Sequence, residues 1–280
     1  MGASKGNIAT VAAGIAYLVS RLAPSTMHRP TGWIVLTGTL ALAVLMLPFA
    51  GLLFATPWLH LHLQAGDGAA IGISVGYTLV ALLIVVIFGT PLAWWLARHS
   101  FRGKLLVDAL VLLPLLAPPL TMGLMLSMVF GPYGWAGEPL RRLGLELTNT
   151  PQAFVLAQVY GAVPYFVVTA RAAFEGVPQE LEHMALTLGR GPWSIFWRIT
   201  LPLSSLGLAS GLALAWVRAM GEFGIVLIVA YFPQGIPVKL WANLQDSGLD
   251  ATYPLLWLFF VVALPLPLAL GLLSRRQPVY

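Results

Sequence analysis

Residues 171–202, RAAFEGVPQELEHMALTLGRGPWSIFWRITLP, form the one long polar-studded stretch set between runs apolar enough to cross a membrane. Its punctuation is that of a helix, a turn and a second helix. Pro178 suits the first turn of a helix, and Leu181, Met184, Ala185 and Leu188 follow at i, i+3, i+4 and i+7 to make one apolar face. Gln179, Glu180, Glu182, His183 and Thr187 fall on the other faces. Gly189 is placed to stop that helix, Pro192 to open a second short one over 193–198, and Pro202 to mark entry into the next apolar run. Neither helix reaches the roughly 20 apolar residues that a bilayer crossing needs. Such a hairpin either docks its apolar face on a partner or lies flat in the lipid interface.

The rest of the chain sets the surroundings of that hairpin. With 59% hydrophobic and only 9% charged residues in 280, the composition is that of a polytopic membrane protein. Backbone polar groups in lipid must be satisfied internally, and the apolar runs exceed barrel-strand length, so the fold class is all-α. Spans are predicted at 33–55, 71–97, 105–130 (broken by Pro114, Pro118 and Pro119), 151–170, 203–231 and 253–273. The N-terminal run 8–22 is too short to cross and ends in Arg21, so it is expected to be retained and interfacial.

The basic residues give orientation. Lys5, Arg21 and Arg29, the cluster Arg98, Arg102 and Lys104, the hairpin's Arg171, Arg190 and Arg198, and Arg275 and Arg276 share one side of a six-crossing bundle. The opposite loops hold only Arg141, Arg142 and Lys239, so the hairpin side and both termini are expected in the cytoplasm. The excess of 15 Lys and Arg over 10 Asp and Glu is thereby spent on topology and does not point to nucleic acid. Cysteine is absent, which excludes disulfides, thiolate metal sites and a cysteine nucleophile.

Arg218 and Glu222 are the ionisable residues placed well inside a predicted span, and at i, i+4 they can pair. An isolated charge there costs at least about 2.5 kcal/mol, so the pair should face a cavity or an interface. Two readings stand: a structural bridge between helices, or a lining of the transport path. Gly221 and Gly224 beside them permit a bend or close helix approach, or serve packing alone. The remaining polar groups within spans, among them Gln158, Tyr160, Tyr165, Ser205 and Ser210, read as local helix hydrogen bonders.

Three runs carry a resemblance. Gly189, nine residues, then Ile199-Thr200-Leu201-Pro202 resembles the G-x9-I-x-L-P half of the signature loop of permease subunits of prokaryotic ATP-driven (ABC) importers. Where that family often has Glu-Ala-Ala, this chain has His183-Met184-Ala185. Residues 71–98, through Tyr77, Thr78, Gly89, Thr90 and Pro91, are similar to the opening helix of the family's core. Arg218-Ala219-Met220-Gly221-Glu222-Phe223-Gly224 resembles the R-A-x-G-E-F-G run of its oxyanion branch, which takes molybdate, tungstate and sulfate.

The resemblance implies a type I ABC importer permease fold: a six-helix transmembrane bundle with a cytoplasmic coupling hairpin, in the cell inner membrane. Its parts would be a cytoplasmic or interfacial segment at 1–30, a first transmembrane helix at 31–57, a five-helix core at 70–273 with a coupling loop at 172–201, and a cytoplasmic tail at 274–280. Leu181, Met184, Ala185, Leu188, Gly189 and Arg190 would meet the ATPase, and Arg218, Glu222, Gly221 and Gly224 would lie on the translocation pathway. The implied partners are two ATP-binding cassette subunits, an extracytoplasmic substrate-binding protein, a second copy of the chain and membrane lipid. The cargo would be molybdate or tungstate, with sulfate or thiosulfate as the alternative.

No enzyme reading competes. There is no G-x-x-x-x-G-K-[ST] loop, no HExxH pair and no G-x-S-x-G elbow, so no catalytic or metal residue is assigned and ATP-Mg is expected in the partner subunit. A secondary carrier or a structural membrane protein remains as a different class, to be separated by whether an ATPase co-purifies.

Overall fold

The computed structural model describes residues 32–274, so the expected N-terminal segment 1–30, with its interfacial stretch 8–22, and the tail 275–280 lie outside the described residues. The chain divides into two compact units, Met1–Thr56 and Pro57–Tyr280. In the first, α1 (Gly32–Ala55) is a 24-residue helix long and apolar enough to span a membrane. Its two threonines fold their hydroxyls back onto the carbonyls of Trp33 and Leu36, which keeps them compatible with lipid.

The second unit carries α2 (Asp67–Arg98), α3 (Lys104–Leu116), α4 (Pro119–Phe130), α5 (Gly137–Arg142), α6 (Pro151–Glu175), α7 (Gln179–Thr187), α8 (Pro192–Met220), α9 (Gly224–Val229), α10 (Ile236–Ser247), α11 (Tyr253–Ala263) and α12 (Pro265–Ser274). No strand occurs among the described residues. Helix α6 starts where the sequence says it should: Pro151 occupies the first turn, and the Thr150 hydroxyl accepts from the Ala153 N–H at 3.2 Å.

Contacts along the helices set their directions. Tyr77 meets Phe154 edge-on, the Gln158 amide donates to the Thr78 hydroxyl at 2.7 Å, and Arg98 donates to the Val177 carbonyl at 3.2 Å, so α2 and α6 run parallel. The chain between two parallel neighbours has to return across the bundle. It does so through α3 and α4, which are bent by 111° at Ala117–Pro118. Prolines at 118 and 119 deny the helix its hydrogen bonds there and impose the corner. The third expected span is therefore one crossing made of two helices.

Helix α8 runs antiparallel to α6. Gln158 donates to the Ala219 carbonyl near one end, and Gly207 lies so close to Ala173 near the other that a Cβ would come within 2.4 Å of the alanine methyl. The Trp216 indole donates to the Ala263 carbonyl at 2.9 Å, which packs the last span against α8. The core of the unit is built from Leu96, Phe166, Phe174, Trp216 and Met220, with a second cluster around Phe154, Met122, Leu126 and Val226.

Several boundaries differ from expectation. The second hairpin helix does not stop at Arg198; it continues through a π turn at Phe196–Thr200, past Pro202, into one helix of 29 residues. The wider turn, closed by Leu201 N–H to Phe196 C=O, makes room for the proline ring that an α turn would exclude. At the other end the span stops at Met220 rather than near 231, and α9 is a separate short helix. The last span also breaks, between α11 and α12, where Pro265 starts a new first turn.

Candidate functional site

The break after Met220 holds the charged pair. Glu222 lies one residue beyond Gly221, and its Oε1 accepts from the Ile225 N–H at 2.9 Å, so the carboxylate serves one of the free N–H groups that open α9. Its Oε2 pairs with Arg218 Nη1. The carboxylate side chain is 0% exposed, whereas the arginine's is 24% exposed, with the guanidinium carbon 5.9 Å from the centre of the Tyr165 ring. The pair thus has an inner and an outer member: Glu222 is sealed in the bundle, and Arg218 reaches outward along the α6 face between Gly161 and Tyr165.

Residues to which the sequence assigned no part in the pair make this possible. A Cβ on Gly161 would sit 2.6 Å from Glu222 Oε2 and 3.6 Å from Arg218 Cζ, so glycine is what admits the carboxylate. Gln158, one turn earlier on α6, donates to both Thr78 of α2 and Ala219 of α8, fastening three helices at the level of the break. It is a bridge between helices, not the local hydrogen bonder expected of it; Ser205 and Ser210 do bond locally, to Pro202 and Leu206. The periodicity of α6 puts Gln158 and Gly161 on one face, but their partners lie roughly 60–80 residues away in sequence and no short motif announces them.

The two glycines differ. Gly224 is buried against the corner between α3 and α4, where a Cβ would meet Pro119 Cβ at 2.6 Å. Gly221 terminates α8 and has ordinary van der Waals room toward Phe259 at 3.8 Å, though the Val217 carbonyl lies 3.2 Å away. Close approach is thus required at Gly224, and helix termination is what Gly221 supplies.

At the opposite end of α8 stands the hairpin. Arg98, ending α2, donates to Glu182 Oε1 through Nη2 at 2.7 Å and Nε at 3.2 Å, and the Thr200 hydroxyl donates to the same oxygen at 2.6 Å. Glu182 therefore ties α7 to α2 and to the π turn of α8. Gly189, at φ +75°, makes the left-handed turn that ends α7 and releases the chain toward Gly191 and Pro192.

The predicted apolar face splits in two. Ala185 is 8% exposed and packs inward, while Leu181, Met184 (62%) and Leu188 (81%) stand out from the bundle. That corrects the expectation of one shared face: α7 lies edge-on to the bundle, held by the small Ala185 and by Glu182, and its large apolar side chains point away. Arg190 is exposed beside them. Among the described residues no group of His, Cys, Asp and Glu is arranged to hold a metal ion.

Comparison with known proteins gives a consistent picture. Residues 89–277 match the family described as the binding-protein-dependent transport system inner membrane component. A probable molybdenum ABC transporter permease protein of Haloferax volcanii is 39% identical over 84% of this chain and 86% of its own length. A probable sulfate transport system permease protein of Marchantia polymorpha is 34% identical over 70% of this chain and 69% of its own. Among solved structures, a chain of a bacterial alginate ABC transporter in complex with its alginate-bound periplasmic protein superposes with a TM-score of 0.69 at 19% identity, covering 87% of this chain and 94% of that one.

Proposed function

The chain belongs to the family of binding-protein-dependent transport system inner membrane components, and on that premise we propose that it is the membrane-spanning permease of an ATP-driven oxyanion importer, with molybdate as cargo ahead of tungstate and sulfate. The observation that carries this reading is the asymmetry of the charged pair. Glu222 is buried and doubly engaged, which holds Arg218 at a break in α8 with its guanidinium still partly open. A guanidinium offers planar paired donors that suit an oxyanion, and it keeps its charge at every physiological pH. Similarity to molybdenum permeases over most of the chain supports the ranking of cargo.

In this reading the core is 70–273, with 31–57 as a further span, and two copies of the chain face each other across the path. Arg218 of each copy attracts the anion, Glu222 positions it, Gly221 ends the helix at the break, and Gly224 lets the broken segment lie close to its neighbours. The loop 172–201 couples to two ATP-binding cassette subunits through Leu181, Met184, Leu188, Gly189 and Arg190, with Ala185 seating the helix on the bundle. The ATPases hold the ATP-Mg, and an extracytoplasmic binding protein delivers the anion at the opposite face. The hairpin end, which carries the Arg98, Arg102 and Lys104 cluster, lies in the cytoplasm with both termini.

ATPase closure moves the hairpins. Glu182 and Arg98 transmit that motion to α2 and α8, and the paths around Arg218 open outward. The test is uptake of labelled molybdate by proteoliposomes holding this chain, its ATPase and its binding protein. Saturable uptake that needs ATP and is weakly inhibited by sulfate is expected; uptake driven by an ion gradient without the ATPase would make the protein a secondary carrier.

A further inference from the structure

One tyrosine stands at mid-span with its hydroxyl unused. Tyr165 lies ten residues short of the end of α6 at Glu175, about 15 Å along the helix axis, and is farther still from Pro151. That depth excludes a tyrosine of the headgroup-level belt, which sits near a helix end. The local helix hydrogen bond expected of it is absent too. Only the Tyr165 backbone carbonyl is engaged, accepting from the Thr169 hydroxyl, and the phenol has no partner among the described residues. The residue is nevertheless 37% exposed, so an oxygen from outside can reach it.

What its ring faces is Arg218. The ring centre is 5.9 Å from the guanidinium carbon, and Gly161, one turn earlier on the same face of α6, leaves the notch in which that carbon lies, 3.6 Å from where a Cβ would stand. Glu222 takes Nη1 of the guanidinium from the inside. Nε and Nη2 donate to nothing among the described residues, and the arginine side chain is 24% exposed. Open donors of two kinds thus stand beside each other, charged N–H groups and a neutral O–H. Their surroundings are apolar: Val168 follows Tyr165 by one turn, Leu214 precedes Arg218 by one turn, and both are exposed. Polar groups at that depth belong against a cavity or an interface and not against lipid.

We propose that Tyr165 is a second cargo-contacting residue of the path, its phenol O–H donating to one oxygen of the oxyanion while Arg218 donates to the others. This rests on the reading of Arg218 as the residue presented to the cargo, and it adds the neutral partner that the arginine needs. Arg218 is charge-compensated by Glu222, so the pair brings no net charge to a dianion. A hydroxyl strengthens the hold without adding charge, and its hydrogen bond to a charged acceptor is of the stronger kind. Passage needs a hold firm enough to admit the anion and weak enough to release it.

The test uses proteoliposomes holding the complete transporter, with molybdate-loaded binding protein added in steps to saturation. Tyr165→Phe keeps the ring and removes the donor, so the maximal rate of uptake should fall about tenfold. The binding-protein concentration that gives half the maximal rate, the ATP hydrolysis it stimulates and the melting temperature should all stay unchanged, which a merely structural role would not allow. Val168→Ala, one turn away on the same helix, should take up molybdate at the full rate. Full uptake in Tyr165→Phe overturns the proposal, as does an equal loss in Val168→Ala, which would assign the effect to packing of that face. Arg218→Gln separates this inference from the reading beneath it. Uptake lost in Arg218→Gln and kept in Tyr165→Phe sinks the tyrosine alone, whereas uptake kept in Arg218→Gln sinks both.

Discussion

Two arginine–glutamate pairs stand at opposite ends of α8, and they are built for different work. Arg98 and Glu182 come from elements 84 residues apart, are 7% and 14% exposed, and share their key oxygen with Thr200. Arg218 and Glu222 are one turn apart, and only the acid is sealed while the base is a quarter exposed. The first pair uses one oxygen of its acid, Glu182 Oε1, to join three elements. The second spends its acid on holding one arginine in place and leaves that arginine open. Ion pairs of like composition thus divide into a fastener and a presented charge, according to which member faces outward and how many elements converge on it.

That contrast can be broken, and the largest effect is expected at the fastener. Glu182→Ala leaves Arg98 buried without its acid and should cost about 3–5 kcal/mol, read as a fall in melting temperature together with protease cleavage within 176–200. A hairpin that stays protected and a melting point that holds would show that α7 is seated by packing alone. Next comes Gly161→Ala, whose methyl would press on Glu222 Oε2; overpacking of this kind costs roughly 1–3 kcal/mol. Here stability and uptake should fall together, because the displaced carboxylate carries Arg218 with it. Full uptake in this variant would mean that the position of Arg218 is unimportant.

Thr78→Val, which keeps shape and removes the acceptor for Gln158, should cost about 1 kcal/mol in denaturant unfolding and lower uptake only modestly. An effect as large as that of Gly161→Ala would shift weight from the charged pair to the α2–α6–α8 bridge. The smallest effect on the isolated chain is expected for Leu188→Asp, a surface change worth within about 0.5 kcal/mol of stability. Yet it places a carboxylate on the outward face of α7 and should abolish ATPase co-purification. Survival of the complex would remove the hairpin from the docking surface.

The sequence made some of this legible and hid the rest for physical reasons. Helices α1, α2 and α6 follow from hydrophobic length alone, and the hairpin follows from Pro178, Gly189 and Pro192, because those signals are local. The continuity of α8 through Pro202 was not legible, since a π turn upstream absorbs the proline and no residue type encodes it. The 111° corner at Ala117–Pro118 has its cause written in two prolines, but no local residue signal encodes its angle. The charged pair was visible as i, i+4 spacing, whereas Gly161, Gln158 and Glu182 became functional candidates only when distant elements converged on them. Ala185 kept its periodic position but packs inward, while Met184 and Leu188 face outward.

The central claim is that Arg218 is presented to the cargo and that Glu222 positions it. Either single change to Gln leaves one charge of the pair uncompensated, whereas Arg218→Gln with Glu222→Gln removes both at nearly constant shape. The decisive measurement is uptake of labelled molybdate in vesicles for the two single variants and the double variant, alongside their melting temperatures. The account predicts that the double variant recovers the melting temperature lost in the singles while uptake stays abolished; recovery of both would show that the pair only bridges the bundle, and would contradict a place for Arg218 on the path.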